Sequence, residues 1–317
     1  MVRFHVLGDA LVDVVCGGLA QLPSPEGDAT AEHIALRAGG SALNTAVHLA
    51  SLVGPGRVTF YACVGKDAFA DMLTARLESM GIEAKLQRHS EKSTGSCVIL
   101  SGPSLGRSFV TCYGAAPELD VELLAQSLQS ELERADEPVH IHLGGVYSYG
   151  PTLRQTLPSF LRRLRATSRA LRRPTVSLDA NGHEADQLEG VRALLPEIDL
   201  FKGNVKEVEA LLGLGWPDAM AEVTSQGCAA VITCGAEGAH WRLGSACGSA
   251  KPPPITPLDS TGAGDACGAA LLARWSSGED LESATAFACA AGAWNCTKLG
   301  GCETPATEET VRALMQQ

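Results

Sequence analysis

Short apolar runs alternate with longer amphipathic ones along most of the 317 residues. The short runs, two to seven residues rich in Val, Ile, Leu and Phe, are too short for buried helices and too uniformly apolar for half-exposed strands. They are Phe4–Leu7, Val58–Val64, Val139–Leu143, Thr175–Leu178, Leu200–Phe201 and Ala230–Thr233. Between them, apolar residues recur at helical spacing over Ala42–Leu52, Ala68–Met80, Glu118–Leu132, Leu153–Leu171, Leu188–Leu195 and Lys206–Leu212. Gly81 and Gly213 stand where a chain leaves a helix in left-handed conformation. Strands apolar on both faces and separated by helices must lie parallel, with helices covering both sides of the sheet.

Two stretches break the rhythm. Cys16–Ala38 is punctuated by Pro and Gly, and Ser96–Tyr113 reads as two strands around the turn-rich SGPSLG. Neither contains a helix, so both suit a small antiparallel flap beside the main sheet. The last third reads as three helices, Ala263–Trp275, Leu281–Trp294 and Glu308–Met315. The expectation is one α/β domain over residues 1–317, with the flap drawn from about 12–38 and 94–114.

Composition narrows the partners. The net charge of −11 opposes a general role on nucleic acid or anionic membrane surfaces. The arginine-rich FLRRLRATSRALRR, Phe160–Arg173, keeps leucines at helical spacing and reads as a solvated helix face. The eleven cysteines are scattered, form no CxxC pair and mostly sit in apolar runs, which points to a reducing, cytoplasmic setting. His140 and His142 alternate onto one strand face with no third ligand in evidence, and read as a core pair.

Chemistry concentrates in three segments. Asp259-Ser-Thr-Gly-Ala-Gly-Asp265 runs into an apolar helix. Glycines at a helix N-terminus let unpaired backbone N–H groups and the positive end of the helix dipole approach an anion. A carboxylate there competes with the anion unless it has another task, such as taking a proton from a hydroxyl beside a phosphate. A first-turn acid after a glycine turn accounts for the same letters. The segment is neither GxxxxGK[ST] nor GxGxxG. Arg37-Ala-Gly-Gly-Ser-Ala-Leu-Asn44 offers two glycines for close approach and an Asn able to meet a hydroxyl, and Asp13 would be a second hydroxyl partner; a glycine turn at a helix start and a strand-end turn former account for the same letters. Asn204 and Glu207, three apart, fit either a magnesium–water shell or a helix capping box.

Taken together, Gly-Gly-x-x-x-Asn early, Asn-x-x-Glu in the later middle and Asp-Ser-Thr-Gly-Ala-Gly-Asp near the end resemble the PfkB (ribokinase-like) family of carbohydrate and nucleoside kinases. Ala62–Phe69, Thr94-Gly95, Val231–Gly238 and Gly292–Gly301 follow the family's wording, so the resemblance covers roughly residues 4 to 305. It implies a ribokinase-like three-layer fold with a β lid over the acceptor. It implies ATP and Mg²⁺ as co-substrate and cofactor, with a sugar, polyol or nucleoside as acceptor; the exposed edge of such a lid would suit a homodimer. Asp265 would be the base, and the N–H groups of Gly262, Ala263 and Gly264 the anion hole. Asn204 and Glu207 would act through magnesium, and Thr233, Gly235 and Gly238 would line the nucleotide. Asp13, Gly39, Gly40 and Asn44 would hold sugar hydroxyls. Asp259, Thr261 and the backbone at Asn295 and Gly300 match the positions that hold a monovalent cation, such as K⁺, in many relatives.

The chain departs from the family pattern at Cys289, where Asn or His often faces adenine, and at Asp179-Ala-Asn-Gly-His183, which lacks the Arg of some fructokinases. Three other readings stand beside a sugar kinase: a nucleoside kinase, a non-catalytic sugar or nucleotide sensor, and a nicotinamide-dependent oxidoreductase. Asp265 weighs against the sensor, and the absence of GxGxxG after the first strand weighs against the oxidoreductase.

Overall fold

The computed structural model describes residues 1–102, 105–134, 137–167, 173–181 and 190–317. Seven strands run parallel: β1 (Arg3–Leu7), β4 (Val58–Val64), β5 (Glu83–Arg88), β8 (Val139–Leu143), β9 (Thr175–Asp179), β10 (Leu200–Asn204) and β11 (Ala229–Thr233). An antiparallel hairpin, β12 (Ala239–Leu243) and β13 (Ala246–Ala250), extends the sheet, giving the order β13-β12-β11-β10-β9-β8-β1-β4-β5.

Strand polarity decides which helices meet which face. Phe4, Val6, Phe60 and Ala62 point to the side covered by α1 (Ser41–Val53), α2 (Ala68–Ser79), α7 (Ala263–Trp275), α8 (Leu281–Cys296) and α9 (Glu308–Met315). Leu7, Tyr61, Ile141 and Leu178 point to the other, packed by α3 (Val121–Arg134), α4 (Pro151–Thr167), α5 (Val205–Leu212) and α6 (Trp216–Ser225). This is the expected three-layer architecture.

All six strands expected in the main sheet form. β5, β12, β13 and α6 were not expected: β5 carries Glu83, Lys85 and Arg88 at the sheet's edge, and the β12–β13 pair is partly exposed. The helix expected over Leu188–Leu195 is instead a 3₁₀ helix over Val191–Glu197, and its first residues lie outside those described. Within α4, Leu157, Leu161 and Leu164 are buried while Arg162 and Arg165 pair with Glu197 and Asp199, so the helix has the amphipathic character read from sequence. Residues 168–172 of that arginine-rich stretch lie outside the described residues.

Both helix-free stretches join one four-stranded sheet, β3-β2-β6-β7, made of β2 (Leu11–Gly17), β3 (His33–Gly39), β6 (Gly95–Gly102) and β7 (Gly106–Cys112). It is not wholly antiparallel: β2 pairs antiparallel with β3 but parallel with β6. Alternation places Asp13, Arg37, Ile99, Ser101 and Arg107 on one face, and Val14, Leu36, Val98 and Val110 on the other.

Phe60, fully buried at the centre of β4, anchors the first helical layer. Phe60→Ala is expected to cost about 3–5 kcal/mol of unfolding free energy in urea denaturation, the scale of a large aromatic cavity.

Candidate active site

The chain order reverses between β1 and β8, and the site forms at the carboxyl ends of the strands beside this point. Asp9, just past β1, is fully buried and accepts from the backbone N–H groups of Ser41 (3.2 Å) and Ala42 (2.9 Å) and from the hydroxyl of Tyr147 (3.2 Å). It fixes the first turn of α1. Gly40, at φ 96°, makes the bend into that helix, and a Cβ there would press on the Asp9 carbonyl at 2.8 Å.

Asp265 lies in the first turn of α7 and is 8% exposed. Its carboxylate accepts from Ser41 Oγ (2.7 Å) and Asn44 Nδ2 (2.9 Å). Burial raises its pKa to about 6, while Lys202 and these two donors hold it down. The base candidate is therefore mostly ionised at neutral pH yet basic enough to share a proton. Gly262, the N-cap of α7, has φ 70°, and a Cβ would meet the Gly301 carbonyl oxygen at 2.4 Å. With Ala263 and Gly264 it opens the helix, and its geometry leaves no room for another residue type.

A cavity of about 570 Å³ lies between the four-stranded sheet and the loop before α7, a size suited to a small molecule. Asp13, Arg37, Arg107, Asp259, Thr261 and Gly300 line it. Burial raises the pKa of Asp13 to about 7, with further upward pressure from Glu303, Asp9 and Asp265. Gly39 gives its carboxylate space, since a Cβ there would meet Asp13 Oδ2 at 2.4 Å. Asn44, expected on a substrate hydroxyl, donates to Asp265 instead, and its Oδ1 is buried without a partner in the structure.

Asn204 and Glu207 form a full capping box: Glu207 N–H donates to Asn204 Oδ1 (3.0 Å) and Asn204 N–H to Glu207 Oε2 (2.7 Å). The structural alternative weighed for these letters is thus present. Burial and the neighbouring Asp179 raise the Glu207 pKa, so a nearby cation would favour its ionised form. These oxygen donors are of the kind Mg²⁺ takes directly or through water. Thr233 sits beside Asn204 in register, and Gly235 and Gly238 make the tight turn after β11. Gly238, φ 100°, also approaches Ala250 closely. Asp259, Thr261, Asn295 and Gly300 are gathered too: Asp259 accepts from Thr261 and Gly300, and Asn295 donates to the Thr261 carbonyl.

Lys202 and His48 escaped the reading of the sequence, whereas the His140–His142 pair did not. Lys202, buried in β10, donates to Asp179 at the end of β9 and lies under the anion loop, where a Cβ on Gly264 would come 3.5 Å from its Nζ. Asp179 outweighs burial and holds the lysine above its ordinary pKa. The only signal was negative: Lys202 ended the apolar run at Phe201. His140 and His142 share the Ser177 hydroxyl, as fits a core pair. His48 Nε2 contacts the Gly301 carbonyl (2.9 Å) and braces the loop beneath the cavity.

The chain matches the family model described as pfkB family carbohydrate kinase over residues 3–308, and it belongs to that family. It is an enzyme of the carbohydrate-kinase class, built for ATP-dependent phosphoryl transfer. Adenosine kinase of Schizosaccharomyces pombe is 25% identical over 295 residues, covering 86% of this chain and 83% of the relative. A putative ribokinase II from E. coli, solved with ATP and Mg²⁺, superposes with a TM-score of 0.82 at 21% identity over 100% of this chain and 99% of that one. A double-mutant fructokinase from Vibrio cholerae, solved with fructose, ADP and potassium ion, does so at 0.79 with 21% identity, over 99% and 98%. Among the described residues no helix is long and apolar enough to cross a membrane.

Removing one member of a buried ion pair strands the other. Lys202→Met is expected to lose about 3–5 kcal/mol in urea denaturation, and the double variant Asp179→Asn, Lys202→Met to lose clearly less.

Proposed function

We propose that this chain transfers the γ-phosphoryl group of ATP to a hydroxyl of a small sugar or related polyol, with Asp265 as general base. The observation that carries the reading is the Asp265 carboxylate: buried, held by Ser41 and Asn44, tuned to about 6, and set in the first turn after Gly262. The acceptor would lie in the cavity against Asp13, with Gly39 packed on the Asp13 carboxylate, Gly40 next in the chain, and Asn44, beside the cavity-lining Gly301, offering its unpartnered Oδ1 to a hydroxyl. Its reacting hydroxyl would give its proton to Asp265. The N–H groups of Gly262, Ala263 and Gly264 would hold the charge of the passing phosphoryl group, and Lys202 beneath them would add a fixed positive charge. Asn204 and Glu207 would meet Mg²⁺ through its waters, the ion neutralising phosphate charge. Thr233, Gly235 and Gly238 would face the nucleotide.

A nucleoside acceptor is the second reading, supported by the likeness to adenosine kinase. The inner face of the small sheet favours a sugar, since its stacking groups are few and Arg37, Ser101 and Arg107 are polar. The whole chain is read as one domain, with the sheet of about 12–38 and 94–114 as its lid. The outer face exposes Ile34 (68%), Leu36 (51%) and Val110 (64%), which supports a homodimer through the lid. All eleven cysteines are free, which supports a reducing, cytoplasmic location.

ATP consumption over pentoses, hexoses, sugar acids, sugar phosphates and nucleosides is expected to single out one acceptor class. Asp265→Asn should lower its turnover by about 10²–10⁴-fold in protein that remains folded by circular dichroism. Acceptor binding with no turnover in wild type would overturn the kinase reading. Because the Asp265 pKa is raised, the active carboxylate is lost as pH falls through about 6. The kcat/KM profile should therefore drop roughly tenfold per pH unit below that point. Ile34→Lys with Val110→Lys should shift the sedimenting species from dimer to monomer; an unchanged mass would exclude this face as the contact.

A further inference from the structure

The loop before the anion hole already holds a cation, and it is a side chain. Arg107, on the inner face of β7, reaches across to three consecutive loop residues. Its Nη1 donates to Asp259 Oδ1 (3.1 Å) and to Thr261 Oγ1, and its Nη2 to Ser260 Oγ (2.7 Å). The Phe109 ring lies 5.8 Å from the guanidinium carbon. Asp259 Oδ1 also accepts from the Thr261 N–H (2.9 Å) and hydroxyl (2.7 Å), and Oδ2 from the Gly300 N–H (2.9 Å). The Thr261 carbonyl accepts from Asn295 Nδ2 at 2.6 Å.

A free monovalent cation needs oxygen lone pairs converging on empty space. Here Asp259 Oδ1, Ser260 Oγ and Thr261 Oγ1 all accept from the Arg107 guanidinium, Asp259 Oδ2 accepts from the Gly300 N–H, and the Thr261 carbonyl accepts from Asn295 Nδ2, so the charge and space a cation would need on Asp259 and Thr261 are taken by the guanidinium. The residues implied for a monovalent cation therefore do not fit one while Arg107 is seated. The half-buried Asp259 is neutralised by the guanidinium instead.

We propose that Arg107 supplies, from the lid, the positive charge that a monovalent cation supplies beside the anion hole in relatives, so that this enzyme works without one. The inference rests on the kinase reading. It has a mechanical consequence: the charge reaches the loop only when the small sheet is seated, so closure over the acceptor and ordering of Thr261 and Gly262 become one event. Arg107 is a positioning residue here, acting through Asp259–Thr261 on the anion hole.

The test compares the full-length chain in potassium chloride and in tetramethylammonium chloride at matched ionic strength. Wild type is expected to unfold at the same temperature and turn over at the same rate in both. Arg107→Ala should lose about tenfold or more in kcat/KM in tetramethylammonium, and should regain turnover and unfolding temperature as K⁺ is added. Arg107→Lys should stay insensitive to K⁺. A potassium-dependent rise in the wild-type unfolding temperature or rate would overturn the proposal, as would an Arg107→Ala variant indistinguishable from wild type. The wild-type thermal comparison needs neither a variant nor turnover, so it decides the cation question even if no acceptor is phosphorylated, an outcome that would sink the kinase reading alone.

Discussion

The hydrogen bonds from Ser41 and Asn44 to Asp265 join residues more than 220 positions apart, and the active site depends on them. They fix α1 against the start of α7, so one carboxylate sets the spacing between the first turns of the two helices. That carboxylate is buried among other acids, and only local donors and one buried cation keep it ionised near neutrality. A site able to take a proton at pH 7 is obtained by balance: desolvation raises the pKa, and Lys202, Asn44 and Ser41 limit the rise.

Lys202 is the central counter-charge of that balance. It is buried, paired with Asp179, and close enough to act on Asp265 and Glu207 as well. Such a residue is costly to desolvate, and its compensation comes from the carboxylates around it rather than from water. Among the described residues, His142 Nε2 in the polar layer around Lys202 is buried without a partner.

The layered fold was legible because parallel strands buried on both faces leave uninterrupted apolar runs. Where burial is one-sided the signal fades: β5 at the sheet edge and the β12–β13 hairpin carry charged or small residues and were missed. The glycines and acids of the site were legible because their local spacing carries chemistry. Lys202 and Arg107 were not, since their meaning lies in partners 23 and 152 positions away in sequence. The Asn204–Glu207 pair shows the converse, because one local pattern satisfies a helix cap and suits a cation shell, and the cap is what the backbone requires in any state.

The small sheet is coupled to the chemistry by how it is spliced into the chain. β2 begins four residues after β1 ends, and β3 ends at Gly39, two residues before α1 starts. Any tilt of the sheet is therefore delivered at Asp9 and Gly40, the two points that hold the first turn of α1. Ser41 and Asn44 lie within that turn, and both bind Asp265. Arg107 makes the same connection from the opposite edge of the sheet, onto Asp259–Thr261 just before Gly262. One sheet thus reaches Asp265 through α1 and the loop before Gly262 through Arg107, so its position bears on both sides of the candidate site at once.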